Sequence, residues 1–172
     1  VGDRGVILHF DGREWSVQSS VTEATLRAIW GSGPNDIYAV GSGDTILRSD
    51  GTAWRAITPS VNGINMGLSS IWGSGSEDVY IGGVGAELFH FDGTLWTRRS
   101  FEGHADIIAI WGSGPNDIYL VTARDSQLHH NDGTSWTEQS PGVRVTLNAI
   151  WGSGPDDVFI VGDRGTILHR GP

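Results

Sequence analysis

Apolar and polar residues alternate with a period of two along short runs, and Gly-rich polar segments separate the runs. This is the pattern of strands that present at least one buried face. Four such runs follow one another from Leu26 onward. The first, Leu26 to Trp30, predicts a strand with Leu26, Ala28 and Trp30 on one face. Gly33-Pro34-Asn35-Asp36 then predicts a turn, because Pro presets φ and Asn or Asp bonds the backbone locally. The second run, Ile37 to Val40, is apolar on both sides, with Ile37 and Ala39 on one and Tyr38 and Val40 on the other. Such a strand belongs to a sheet covered on both faces. Gly41-Ser42-Gly43-Asp44 predicts a second turn and Thr45 to Ser49 a third strand. Asp50-Gly51 predicts a tight hairpin, and a fourth strand begins at Trp54. No segment has helical period or length.

The whole unit recurs. Ile-Trp-Gly-Ser-Gly occurs four times, with its Trp at Trp30, Trp72, Trp111 and Trp151, in steps of 42, 39 and 40 residues. A second Trp follows an Asp-Gly pair at the same period, at Trp15, Trp54, Trp96 and Trp136. The middle residue of the first strand is always small: Ala28, Ser70, Ala109 and Ala149. A strand nearest a crowded axis requires that. A repeat of about 40 residues with four strands predicts an all-β fold, a β-propeller of four-stranded antiparallel blades with about four blades in the chain. A solenoid or a sandwich fits the period and strand count less well. The units are expected at approximately 1–25 (partial), 26–66, 67–105, 106–146 and 147–172 (partial), within a single domain spanning 1–172.

The two ends of the sequence repeat each other. Val1-Gly2-Asp3-Arg4-Gly5-Val6-Ile7-Leu8-His9 matches Val161-Gly162-Asp163-Arg164-Gly165-Thr166-Ile167-Leu168-His169, so the third strand of the unit is present once more than the others. Three arrangements are open: a four-bladed ring with one terminal strand displaced, a larger ring shared with another copy, or a segment of a longer propeller. Unclosed, the chain exposes sheet edges and uncovered faces that favour association.

Composition narrows the function classes. The net charge is −9 and every basic residue is Arg, so there is no basic stripe for a nucleic-acid backbone. No apolar run is long enough to insert in a membrane, and no signal-peptide pattern stands at the start. The 26 Gly and 8 Trp point to many turns and large packing units, and without Cys no disulfide framework exists.

Most polar residues repeat, and repetition marks scaffold. His9, Arg48, His90, His130 and His169 share one register on the third strand, where the expected role is to bond the adjacent Asp turn. Asp36, Asp78, Asp117 and Asp157 recur in the first turn of the unit, and Asp11, Asp50, Asp92 and Asp132 before its fourth strand; all eight are expected to cap turns. One carboxylate per turn is a thin ligand set for calcium, and His129-His130 lacks a third ligand nearby, so neither metal nor cofactor is expected. Tyr38, Tyr80, Tyr119 and Phe159 occupy one repeat position and are expected in the core. No nucleophile motif, phosphate loop or dinucleotide fingerprint is present, so the chain is not expected to be an enzyme.

From strand two to strand four the sequence resembles a known group. Ala39-Val40-Gly41, Thr45-Ile46-Leu47, Asp50-Gly51 and Trp54 are similar to Asp-box (BNR-like) bacterial β-propeller repeats, with the nearest likeness to the photosystem II assembly-factor type. The likeness to tectonin-type lectin propellers is looser. The usual Asp-box has one residue between Asp and Gly, whereas here they adjoin, and His9, Arg48, His90 and His130 stand where its Ser would be. The resemblance implies a propeller and, by analogy, an exported or cell-surface bacterial protein.

Function is sought where the repeats differ. The residues selected as ligand-binding are Arg27 and Asn148 at the variable position of the first strand, Phe101 and His104 in one inter-unit connection, and Arg124 and Arg164 in the turns between second and third strands. Loops on one rim of a rigid ring form a natural binding surface. The expected function is a non-catalytic scaffold that binds a protein partner through that rim. The alternatives are a multivalent lectin with a carbohydrate site between each pair of blades and, less favoured, a sialidase-like hydrolase.

Overall fold

The computed structural model describes residues 1–58, 67–101, 105–123 and 127–171. It is built almost wholly of antiparallel strands in five sheets. The first sheet is a hairpin of β1 (Ile7–Phe10) and β2 (Trp15–Gln18). Three four-stranded sheets follow. The first comprises β3 (Leu26–Gly33), β4 (Asp36–Gly41), β5 (Ile46–Ser49) and β6 (Trp54–Ala56). The next comprises β7 (Leu68–Gly75), β8 (Asp78–Gly83), β9 (Glu87–Phe91) and β10 (Trp96–Ser100). The third comprises β11 (Ile107–Gly114), β12 (Asp117–Thr122), β13 (Leu128–Asn131) and β14 (Trp136–Gln139). The last sheet holds β15 (Leu147–Gly154), β16 (Asp157–Gly162) and β17 (Thr166–Arg170). Strand order within each sheet is sequence order, as in the blade of a propeller.

The innermost strands β3, β7, β11 and β15 lie side by side, each against the next. The sheets therefore form an arc with β1–β2 at one end and β15–β17 at the other. The duplicated third strand is used at both ends: β1 pairs with β2, and β17 pairs with β16.

Each sheet is apolar on both faces, as expected of the second strand. Tyr38, Val40 and Ile46 point forward and pack on Leu68, Ile71, Val79, Ile81 and Phe89 of the next sheet. Ala39, Leu47 and Trp54 point backward and pack with Leu26 around Ile7 of the hairpin. Burying a side chain of this size contributes about 1.5–3 kcal/mol, so the inter-sheet layers hold the arc together.

One expectation of the sequence is corrected. Leu26 does not share a face with Ala28 and Trp30. A β-bulge intervenes: Leu26 pairs with Gly41, but Ala28 pairs with the adjacent Val40. The extra residue on β3 turns Leu26 to the backward face. The same bulge recurs at Leu68/Ser70, Ile107/Ala109 and Leu147/Ala149. The first strand is also longer than predicted. It runs on to Gly33, which pairs with Asp36, and leaves only Pro34-Asn35 as the turn.

The Trp-Gly pair of the repeat has a packing reason. A β-carbon on Gly73 would lie 2.6 Å from Cη2 of Trp30, one on Gly112 2.7 Å from Trp72, and one on Gly152 2.6 Å from Trp111. Each indole thus lies over the glycine of the following sheet, where any side chain would collide with it.

Candidate functional site

The repeated polar residues form one constellation, built four times. Asp78 accepts a bond from Ser74 Oγ at 2.5 Å on one oxygen and stands 2.7 Å from His90 Nε2 on the other. Ser113, Asp117 and His130, and Ser153, Asp157 and His169, reproduce it. In the first full sheet Ser32 bonds Asp36, and Arg48 replaces the histidine, with its Nε 2.7 Å from the carboxylate. The ring or guanidinium then lies on an aromatic of the second strand: His90 stacks on Tyr80, His130 on Tyr119 and His169 on Phe159, and Arg48 sits over Tyr38. Burial raises the Asp78 carboxyl, but the bonds from His90 and Ser74 outweigh it and hold the group below its ordinary value. At Asp157 the Ser153 and His169 bonds lower it likewise.

This corrects two expectations. His90, His130 and His169 bond not the neighbouring Asp-Gly turn but the Asp that opens the second strand. That Asp is a side-chain hub rather than a backbone cap. The capping role falls to the other set alone: Asp50 accepts the backbone N–H of Thr52 and Ala53, and Asp11, Asp92 and Asp132 act in the same way. The Thr52 and Thr134 hydroxyls, each donating at 2.6 Å, together with these backbone bonds hold Asp50 and Asp132 down to about 2. Gly51 at φ +86° completes a four-residue connection rather than a two-residue hairpin.

The residues selected as ligand-binding are dispersed. Arg27 is exposed on β3, with its guanidinium reaching Gly67 at the start of the next unit. Ser69, its counterpart, donates to the carbonyls of Gly82 and of Ile107 in the following sheet. Asn148 donates to Asp163 at 2.9 Å, and Arg164 follows on the same turn with φ 58°, so these two come together. His104 and Arg124 lie outside the described residues.

Phe101 is the selected residue that enters a cleft. It stands between the β7–β10 and β11–β14 sheets, 4.7 Å from the His129 ring and edge-on to Trp136 at 5.5 Å. The guanidinium of Arg99 lies 5.4 Å from the Phe101 ring centre, and Arg99 makes no ion pair among the described residues. Gln127 and Glu138 complete a cleft of about 590 Å³. His129 is 7% exposed, and its Nε2 is buried with no hydrogen-bond partner. Burial pushes its pKa down, so the imidazole is neutral at neutral pH. In the sequence His129 stands out only as half of a His-His pair. The signal was available, because Leu8, Leu47, Phe89 and Leu168 hold the same position in the other units. On the far side of Trp136 a second cleft of about 420 Å³ is lined by Tyr80, His90, Thr97, Arg98 and Asn131. Arg98 is paired there with Glu87.

Trp15 and Trp151 are exposed at 68% and 60%, whereas two other tryptophans are committed to packing. Trp54 and Trp96 are buried at 6% and 8% exposure. Among the described residues, no group of three His, Asp or Glu is placed to hold a metal ion.

No family model matches the sequence. No curated protein matches it either. Solved structures do. YCF48 bound to D1 peptide is 17% identical with a TM-score of 0.69, over 96% of this chain and 57% of that one. The extracellular domain of the one-component system BT4673 from B. thetaiotaomicron is 16% identical with a TM-score of 0.74, over 97% of this chain and 25% of that one. The computationally designed Ika8 protein is 17% identical with a TM-score of 0.68, over 87% and 46%. The class is therefore that of β-propeller repeat structures. At these identities the likeness is one of fold, and the chain spans from a quarter to somewhat over half the length of these proteins.

Proposed function

We propose that the chain is a non-catalytic recognition scaffold that binds an extended segment of a protein partner in the cleft between the β7–β10 and β11–β14 sheets, at the loop rim. One observation carries this reading. The repeated polar groups are consumed within their own sheets, whereas Arg99, Phe101 and His129 break the repeat and converge on one cleft. Two aromatic faces and a guanidinium suit an apolar side chain and a carboxylate respectively, with the His129 ring set against Phe101. The fold likeness to YCF48, whose structure holds a D1 peptide, supports a peptide as the ligand class. The Asx-type geometry of the Asp50 turn supports kinship with Asp-box repeats, including their turn chemistry. A lectin reading with equivalent sites would need free aromatic faces at every junction, and Trp54 and Trp96 are packed away.

Selection of a random-peptide display library on the chain tests the reading. Enriched peptides should carry a carboxylate near an apolar residue, and Phe101→Ala or Arg99→Ala should weaken them about tenfold or more. A library that yields no binder, or binders indifferent to both substitutions, would sink it.

A further inference from the structure

Two successive junctions between sheets differ at one step of the repeat. Ile57 stands three residues after Trp54, and Arg99 three residues after Trp96. Between the β3–β6 and β7–β10 sheets, Ile57 packs on the cluster that holds Phe89 and Trp96, which are 2% and 8% exposed. Apolar contact closes that junction. Between the β7–β10 and β11–β14 sheets, Arg99 is exposed, and the counterparts of Phe89 and Trp96 are His129 and Trp136. A guanidinium resists packing into a dry layer without a partner charge. Trp136 is accordingly only partly buried, and a cleft opens on each side of it.

The two clefts form one groove. Trp136 meets Tyr80 edge-on at 6.4 Å and Phe101 edge-on at 5.5 Å, so it stands as a ridge between them. Arg99 and Trp136 line both clefts, Phe101 lines the first and Thr97 the second. Thr97, Arg99 and Phe101 alternate along β10 and the paired residue that follows it, so their side chains share a face. At ~3.3 Å per residue, Thr97 lies about 13 Å from Phe101. The chemistry changes over that distance. Phe101 and His129 form an aromatic wall with Glu138 at its border. Arg99 is the cation in the middle. Beyond Trp136, Asn131 accepts the Gly133 N–H through Oδ1, which leaves its Nδ2 for a ligand. The Thr97 hydroxyl in the same cleft is held only by a 3.4 Å bond to the His90 carbonyl.

We infer that the groove takes a five-residue extended segment that crosses Trp136, with an apolar side chain at Phe101, a carboxylate at Arg99 and an amide or hydroxyl side chain at Asn131, set at alternate positions. This rests on the reading that the Phe101 cleft binds a peptide, and adds the length of the segment and the order of its side chains. An extended ligand rises by the same ~3.3 Å per residue as β10, so its alternate side chains stay in step with Phe101, Arg99 and Thr97. The guanidinium takes the carboxylate in a charge-assisted bond. Glu138 repels a carboxylate at the apolar end, which fixes the acid at the centre.

Two display libraries of nine-residue peptides test it. One fixes Leu, Asp and Asn at alternate positions, in both chain directions. The other fixes the same three residues consecutively. The alternate library should be enriched on the chain at least about tenfold over the consecutive one. Thr97→Trp sets a bulky ring in the second cleft from an exposed strand position, and Ser135→Trp does so from the facing turn. Either variant should erase that advantage. Equal enrichment of the two libraries, with binders that depend on Phe101, overturns the five-residue span and leaves the peptide reading standing. So does an advantage that both Trp variants leave unchanged. Absence of any binder, or binders indifferent to Phe101→Ala, sinks the peptide reading and this inference with it.

Discussion

The indole of Trp72 occupies the place where a β-carbon on Gly112 would stand, with Cη2 only 2.7 Å from that point. The carbonyl oxygen of Asp117 closes the other side, also at 2.7 Å. Neither is the flexible end of a long side chain. Gly112→Ala should therefore force two sheets apart and cost about 1–3 kcal/mol. Urea unfolding checks it. A midpoint unchanged from the parent would show that the junction is loose.

The Ser-Asp-His sets differ in burial, and the effect of losing the Asp should differ with it. The Asp78 side chain is 24% exposed and the Asp157 side chain 43%. Asp78→Ala strands His90 and Ser74 and should cost about 1–3 kcal/mol. Asp157→Ala should cost clearly less, because water replaces its partners. Paired urea titrations of the two variants measure the ordering, and the reverse order would contradict the hub role of Asp78.

Acid sensitivity follows from the capping carboxylates. Asp50 and Asp132 lie at about 2, against 3.8 for the ordinary group. Between those values the unfolded chain binds more protons than the native one, so stability rises with pH. The contribution is complete above the ordinary value and is lost as pH falls toward 2. Denaturant midpoints from pH about 5 to about 2 should decline, and the decline should be shallower in an Asp50→Asn, Asp132→Asn variant. Parallel profiles would count against the caps.

His129 sets stability against recognition. Leu stands at its position in three other units, at Leu8, Leu47 and Leu168. His129→Leu removes a buried nitrogen without a partner and should stabilise the fold by about 1 kcal/mol. The same change should weaken any peptide that uses the cleft. Thermal unfolding and peptide titration read the two effects separately, and a destabilised variant would show that the imidazole is not an uncompensated group.

Much of this architecture was legible because it repeats. A position seen four times reveals its tolerance: Trp30, Trp72, Trp111 and Trp151 announce a packing unit, and Tyr38, Tyr80 and Tyr119 a core position. The candidate site was half legible for the converse reason. Phe101 stood out as a departure from the repeat, but Arg99 and His129 lie on different strands of different sheets, and only their convergence gives them meaning.

The sequence by itself determined strand count, blade period, turn positions and the two-sided apolar faces, all of which depend on local φ/ψ preference and side-chain alternation. Tertiary structure decided the rest. It placed Leu26 on the backward face, because a bulge adds a residue that alternation alone cannot show. It paired His90 with Asp78, twelve residues away, because hydrogen-bond partners are set by strand register rather than by distance along the chain. It also laid the sheets in an arc, each against the next, because the angle between sheets comes from packing across faces and not from any single strand.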